Sequence, residues 1–196
     1  MRMILVRHGQ TEWNKAGKFQ GHSDIPMDET GREQVQAAAA YLAQEPLEAV
    51  YASDLSRAKE TAAVIAAYHG LEPILDVRLR ELYMGRWEGL DFNTVYRHFR
   101  QEYDAWFGKR DGVTPGGEGV KDVEARVLDF IFEVAPKHRG TVVAATHGGV
   151  IRAVLAWAVD ERYLWEEPID HASLTIIKVE GKQLIPEAIN IVPWKK

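Results

Sequence analysis

An arginine and a histidine stand side by side after the apolar run Ile4-Leu5-Val6, and they are the first residues of this chain that could do chemistry. A guanidinium carries forked donors that match phosphate oxygens, and it keeps its charge at neutral pH. An imidazole can attack phosphorus, carry a proton or act as a neutral donor, as its neighbours dictate. Neighbours in a regular strand point to opposite faces. Arg7 and His8 can therefore share one pocket only if the strand stops there, and Gly9 is expected to free the backbone for that turn. Past it, Thr11 and Asn14 offer short polar groups to an oxyanion. Alone, the stretch reads equally well as a strand end with solvated charges.

Two further stretches have the same form. Leu47 to Tyr51 suits a short strand closing on Ala52-Ser53-Asp54, which can cap the next helix, and Arg57 falls in that helix's first turn. Thr141 to Thr146 is a strand that runs into His147-Gly148-Gly149, where backbone N–H groups at a helix start would face an anion. Ligands of open α/β sheets bind beyond the carboxyl ends of the strands. If these strands are parallel neighbours, Arg7, His8, Arg57 and His147 meet at one edge, and a structural core has no use for four such groups together.

The elements that must position them alternate. Val35, Ala38, Ala39 and Leu42 have the spacing of one buried helix face after Thr30-Gly31, and Ala58, Thr61, Ala62 and Ile65 repeat it up to a left-handed cap at Gly70. Strand, helix, strand, helix is the order of an α/β fold with parallel strands. Ile74-Leu75 suits a short strand, and one helix is expected from about Asn93 to Trp106. The segment around 82–120 reads as a lid of helix and loop. A helix carrying Val123, Val127, Phe130, Ile131 and Val134 follows, then a helix over 150–159, then a C-terminal β-hairpin turning at Gly181-Lys182. The expectation is a single domain over 1–196, three-layer α/β/α, with a mostly parallel mixed sheet.

The 196 residues are 46% hydrophobic and 27% charged, as in ordinary globular proteins. No apolar run nears the roughly 20 residues of a membrane helix, and no leader pattern opens the chain, so a cytoplasmic place and no membrane partner are expected. The net charge of −5 argues against a nucleic-acid binder but not against a small phosphorylated substrate. Zero cysteines exclude thiolate nucleophiles and disulfides. No Gly-x-x-x-x-Gly-Lys loop cradles a nucleoside triphosphate, and no His-Glu-x-x-His suits zinc. A metal site assembled from His8, His22, Asp24 and His147 is disfavoured, because the flanking arginines would repel a cation.

Taken together, Arg7-His8-Gly9-Gln10-Thr11 with Asn14 and Gln20-Gly21, then Ser53-Asp54-Leu55-Ser56-Arg57-Ala58, then Leu79-Arg80-Glu81 with Gly85-Arg86-Trp87-Glu88-Gly89, then Thr146-His147-Gly148-Gly149-Val150-Ile151-Arg152 resemble the four ordered blocks of the histidine phosphatase superfamily, also called phosphoglycerate-mutase-like. The resemblance implies that His8 takes the phosphoryl group, that Arg7, Arg57 and His147 hold its oxygens, and that Glu81 serves as acid and base. It implies substrate binding by Thr11, Asn14, Gln20 and the backbone at Gly21 and Gly148, with no metal or cofactor. Glu88 is expected to order its loop, and His22, His69, His98 and His138 to be surface or structural.

Tyr83 to Leu90 looks like the phosphatase branch, which includes broad-specificity and α-ribazole phosphatases, so a phosphomonoesterase is expected. A cofactor-dependent mutase and an inactive phospho-ligand binder are the alternatives. The aromatics of 87–107 suit a packed helix face, and as a functional alternative some would line the leaving-group pocket. Two departures from the pattern stand out: Gly117-Glu118-Gly119 in place of Gly-Glu-Ser, which would weaken a helix cap and loosen the lid, and His171-Ala172-Ser173 where many relatives begin with asparagine. Neither is expected to touch the phosphate pocket. The C-terminal hairpin offers an edge strand for a possible homodimer.

Overall fold

The computed structural model describes residues 1–195. Among them the order is β1 (Arg2–Arg7), α1 (Glu12–Lys15), α2 (Glu29–Leu42), β2 (Leu47–Ala52), α3 (Ser56–Ala67), β3 (Pro73–Leu75), α4 (Phe92–His98), α5 (Arg100–Trp106), α6 (Val120–Val134), β4 (Thr141–Thr146), α7 (Gly148–Ala158), β5 (Leu174–Glu180) and β6 (Gln183–Ile191). Alternate residues of β1 enter different cores. Met3 and Leu5 join Val142 and Ala144 of β4 on one face, packed with α6, α7 and apolar residues of 82–106. Ile4 and Val6 join Val143 and Ala145 on the other, beneath α2 and α3. Burial on both faces is why these strands read as unbroken apolar runs. The result is the expected three-layer α/β/α fold.

The sheet order is β3-β2-β4-β1-β5-β6. The pairs β3–β2, β2–β4 and β4–β1 are parallel, and β1–β5 and β5–β6 are antiparallel. β4 lies between β1 and β2, with Thr146 opposite Arg7 and Ala145 opposite Ala52. The three strand ends that carry Arg7-His8, Ser53-Asp54 and His147 therefore finish at one edge. β6 forms the outer edge, where Pro186 removes one donor. No helix among the described residues is long and apolar enough to cross a membrane.

Three local expectations are corrected. The helix expected over 93–106 is two, broken at Phe99, whose φ of −128° and ψ of 35° leave the helical region. The bend lets Val95 of α4 and both Tyr103 and Trp106 of α5 reach one core, so the apolar spacing continues across it and hides the break. Nor does the Ser53-Asp54 pair cap α3. Leu55 occupies the cap position without a side-chain bond, because the Asp54 carboxylate is taken by Arg80, whose Nε donates to Oδ1 at 2.7 Å.

Gly9, finally, is not left-handed. It is required by contact, since a Cβ there would lie 2.2 Å from the Gly31 carbonyl oxygen, and a Cβ on Gly31 would lie 2.2 Å from that of Gln10. Both obstacles are backbone atoms that cannot swing aside. Gly31→Ala should therefore lower the unfolding free energy by ~1–3 kcal/mol as an overpacked site, measured by urea denaturation. An unchanged midpoint would show that this contact is not made.

Candidate active site

A cavity of about 350 Å³ opens at the strand ends, and Arg7, His8, Asn14, Gln20, Gly21, Arg57 and Glu81 are among its lining residues. His8 is 2% exposed. Its Nδ1–H donates to the Gly9 carbonyl at 2.7 Å. A carbonyl can only accept, so the proton sits on Nδ1 and Nε2 keeps its lone pair. The backbone fixes the ring's position: His8 N–H donates to Thr146 O at 3.0 Å, and Ala172 N–H donates to His8 O at 3.2 Å. Burial, then the charges of Arg57 and Arg7, pushes His8 well below the usual histidine range, so the ring is neutral.

Arg57 is fully buried. It donates to Gly21 O at 2.8 Å and Ser23 O at 2.9 Å, which draws the 20–23 loop onto the site. Gly21 thus supplies its carbonyl to Arg57 and lines the cavity. Its φ of +52° and the 2.1 Å that would separate a Cβ from Glu88 Oε1 both demand glycine. Glu88 does order this loop, accepting from His22 N–H at 2.7 Å and Ser23 Oγ–H at 2.6 Å. Arg7 donates to Ile169 O at 2.5 Å and to His171 Nε2 at 3.0 Å. Burial lowers Arg7 to about 10 and also lowers Arg57, with Glu81 opposing in both, so both arginines remain cations at neutral pH.

His147 lies at the N-cap of α7 with its ring centroid 5.2 Å from that of His8. Burial, then Arg57 and His8, holds it well below the usual range as well. The Nε atoms of Arg7 and Arg57 and both ring nitrogens of His147 are buried without a hydrogen-bond partner. Buried donors without acceptors are costly. Gathered around one imidazole, they match the oxygens of a phosphoryl group.

Glu81 is held from two sides. Its Oε1 accepts from Leu82 N–H at 2.8 Å and Gly149 N–H at 3.1 Å, and a Cβ on Gly149 would lie 2.3 Å from that oxygen. Its carbonyl accepts from Arg126 and from His22 Nε2–H, each at 2.9 Å. His22, expected to be surface or structural, therefore helps to hold the Glu81 backbone. Gly148 packs against Arg7, where a Cβ would lie 3.4 Å from Nε. Thr11 does not reach the cavity. Fully buried, its hydroxyl lies within bonding distance of Asn14 Oδ1 (3.0 Å) and Gln20 Oε1 (2.9 Å) and accepts Asn14 N–H, so it positions two lining residues instead of binding substrate itself.

Sequence reasoning missed three contributors. Arg152 lines the cavity and donates to Tyr163 O at 3.0 Å; its place three and four residues after Gly149 and Gly148 on one helix face was the available signal. Trp165 lines the wall after α7, and no motif marks it. His171, expected to lie away from the pocket, holds Arg7 directly. Of the aromatics at 87–107 only Trp106 lines the cavity, while Trp87 and Tyr103 fill the core and Phe92, Tyr96 and Phe107 are exposed. The weakened cap at Gly119 is relieved by Asp122, which accepts Gly119 N–H at 2.9 Å. Among the described residues no three His, Cys, Asp or Glu side chains group as metal ligands.

His8 and His147 are held far below the unfolded histidine value and His171 falls to about 3. The unfolded chain binds these protons near pH 6.5 and the folded chain does not. Stability should therefore be flat with respect to these groups above that pH. It should fall by ~1.4 kcal/mol per pH unit for each histidine as pH drops from 6.5 towards 5. Urea unfolding across pH 5–8 measures this, and a profile flat below 6.5 would contradict the placement of the three rings.

Comparison with known proteins agrees with this geometry. The family model described as "Histidine phosphatase superfamily (branch 1)" matches residues 3–192. Phosphoserine phosphatase 1 of Hydrogenobacter thermophilus is 33% identical over 97% of this chain and 92% of its own. A 2,3-bisphosphoglycerate-dependent phosphoglycerate mutase of Gloeobacter violaceus is 32% identical over 95% of this chain and 84% of its own. Among solved structures, mycobacterial glucosyl-3-phosphoglycerate phosphatase with VO3 superposes with a TM-score of 0.89 at 28% identity, covering 96% of this chain and 98% of that one. With a neutral histidine lining one cavity with Arg7 and Arg57 at the strand ends and the family's pattern running through nearly its whole length, this chain belongs to the histidine phosphatase superfamily.

Proposed function

We propose that the protein hydrolyses phosphomonoesters of small metabolites through a phosphohistidine on His8. One observation carries the reading: a neutral imidazole whose Nδ1–H is fixed on Gly9 O, leaving Nε2 as a lone pair beside the guanidiniums of the fully buried Arg57 and the partly buried Arg7. In the first step Nε2 attacks phosphorus and the ester P–O bond breaks. Glu81, carrying a proton, gives it to the leaving oxygen. Arg7, Arg57 and His147 stabilise the charge on the equatorial oxygens of the in-line transfer. In the second step the Glu81 carboxylate takes a proton from water, whose oxygen attacks phosphorus. The P–N bond breaks, releasing phosphate and restoring His8. Asn14 adds its amide N–H, since its carbonyl oxygen is occupied by Thr11.

The leaving group would occupy the wall built by Phe19, Met84, Trp106, Leu164 and Trp165, with Arg152 as the cation beside it. The wall supports a preference for monoesters with an apolar or aromatic body. The mutase reading shares this cavity and differs in what the cavity retains. A small phosphorylated metabolite as substrate fits a cytoplasmic enzyme.

Turnover of a chromogenic phosphate ester with chelator present should fall by ~1,000-fold or more in His8→Ala, because the nucleophile is gone. Acid-labile, base-stable phosphate on the wild-type chain should disappear with it. Clean protein without turnover on any monoester would defeat the reading, and bisphosphate-stimulated interconversion of phosphoglycerates would reassign it to a mutase. Trp106→Leu should lower the ratio of kcat/KM for phenyl phosphate to that for a small polar ester by ~5–10-fold, one or two methylenes' worth of pocket contact. That ratio does not depend on how much variant is folded, and an unchanged value would remove Trp106 from the leaving-group wall.

A further inference from the structure

Arg7 spends two of its three nitrogens before any substrate arrives. One terminal nitrogen donates to the Ile169 carbonyl at 2.5 Å and the other to His171 Nε2 at 3.0 Å, which leaves the buried Nε without a partner. A guanidinium has donors only. His171 Nε2 must therefore be a lone pair, and the ring is the neutral Nδ1–H form. Arg7 is thereby gripped by two acceptors, neither of which carries charge. A carboxylate in the position of His171 would grip the guanidinium better and cancel its charge, and phosphate would then have to compete for it. Among the described residues Arg7 makes no ion pair with a carboxylate.

His171 is itself held firmly. Trp194 Nε1–H donates to His171 O at 2.7 Å. Asp170 N–H donates to Asn190 Oδ1 at 2.8 Å, Asn190 Nδ2–H returns to Asp170 Oδ2 at 2.9 Å, and Lys195 Nζ donates to Asp170 Oδ1 at 2.7 Å. Ala172 takes a left-handed φ of 50°, and its N–H reaches back to His8 O at 3.2 Å. The loop between α7 and β5 thus touches both Arg7 and His8, and the residues after β6 clamp it.

We propose that His171 is a positioning residue for Arg7: a neutral acceptor that orients the guanidinium towards the phosphoryl group while leaving its charge uncancelled. Burial and the neighbouring Arg7 hold His171 near 3, so it stays an acceptor throughout the neutral range. The inference rests on the phosphoryl site described above but not on turnover.

The test compares His171→Gln, His171→Glu and His171→Leu, with inorganic phosphate as the ligand in calorimetry and phenyl phosphate as the substrate. A glutamine Oε1 can stand where Nε2 stands, so His171→Gln should keep phosphate affinity and kcat/KM within ~3-fold of wild type. Losing the acceptor in His171→Leu should weaken phosphate by ~10-fold or more, the worth of a hydrogen bond to a charged group. His171→Glu should weaken it at least as much, although it can still grip Arg7. Glutamine and glutamate have the same size, so their contrast carries the test even if the leucine variant fails to fold. Equal affinities in Gln and Glu variants, or a leucine variant that folds and binds phosphate like wild type, would overturn the proposal. Phosphate binding that follows the predicted order in a protein without turnover would instead uphold it and defeat only the phosphatase reading.

Discussion

Two guanidinium groups drawn out of water, Arg57 fully and Arg7 in part, without a carboxylate partner among the described residues are the constraint on which the rest of this structure depends. Removing a charge from water costs several kcal/mol even after a protein has relaxed around it. Ordinarily the cost is met by an ion pair, and Arg80 with Asp54 and Arg126 with Glu118 follow that ordinary pattern close by. Arg7 and Arg57 instead donate to carbonyls of Gly21, Ser23 and Ile169 and to one imidazole. Neutral acceptors satisfy part of each fork and leave the positive charge in place. Burial first, and the field of these cations second, keeps His8 and His147 neutral. A carboxylate inserted here would stabilise the fold and spoil the site.

Supplying those carbonyls explains much of the surrounding architecture. The 20–23 loop must lie against α3, so Gly21 turns left-handed and Glu88 ties the loop to the segment beyond Glu81. Arg126 collects the carbonyls of Arg78, Arg80 and Glu81, and Thr146 donates to that of Leu79, which fixes the acid's segment to α6 and to the end of β4. The Glu81 carboxylate can then approach the start of α7 only because Gly149 has no side chain. Each of these is a backbone or close-packing demand made by a charge some residues away.

How much of this the sequence disclosed follows from the kind of interaction. Parallel strand ends carrying Arg7, His8, Arg57 and His147 were legible, because apolar runs and capping residues are local patterns and topology then brings them together. The ordered blocks also located Glu81, Asn14 and Gln20. What was not legible is what depends on distance in space. Thr11 looks like a binding residue until its hydroxyl is found between Asn14 and Gln20. Gly9 looks like a turn until Gly31 is found against it. His171 sits 164 residues from the arginine it holds, and no periodicity connects them. The break at Phe99 escaped for the opposite reason: both helices face one core, so the helical spacing persists where the helix does not.

The phosphoryl cradle and the proposed leaving-group wall line one cavity but come from different parts of the chain. The phosphoryl cradle is built from strand ends and helix starts, whose positions are set by the sheet and by two apolar cores. The leaving-group wall is built elsewhere: Phe19 before the lid, Trp106 at the end of α5, Leu164 and Trp165 after α7. Trp106 and Leu164 belong to the core that covers one face of the sheet, and Phe19 and Trp165 pack against it. In the proposed reaction the wall residues meet the leaving group, whereas the residues at the strand ends meet the phosphoryl group.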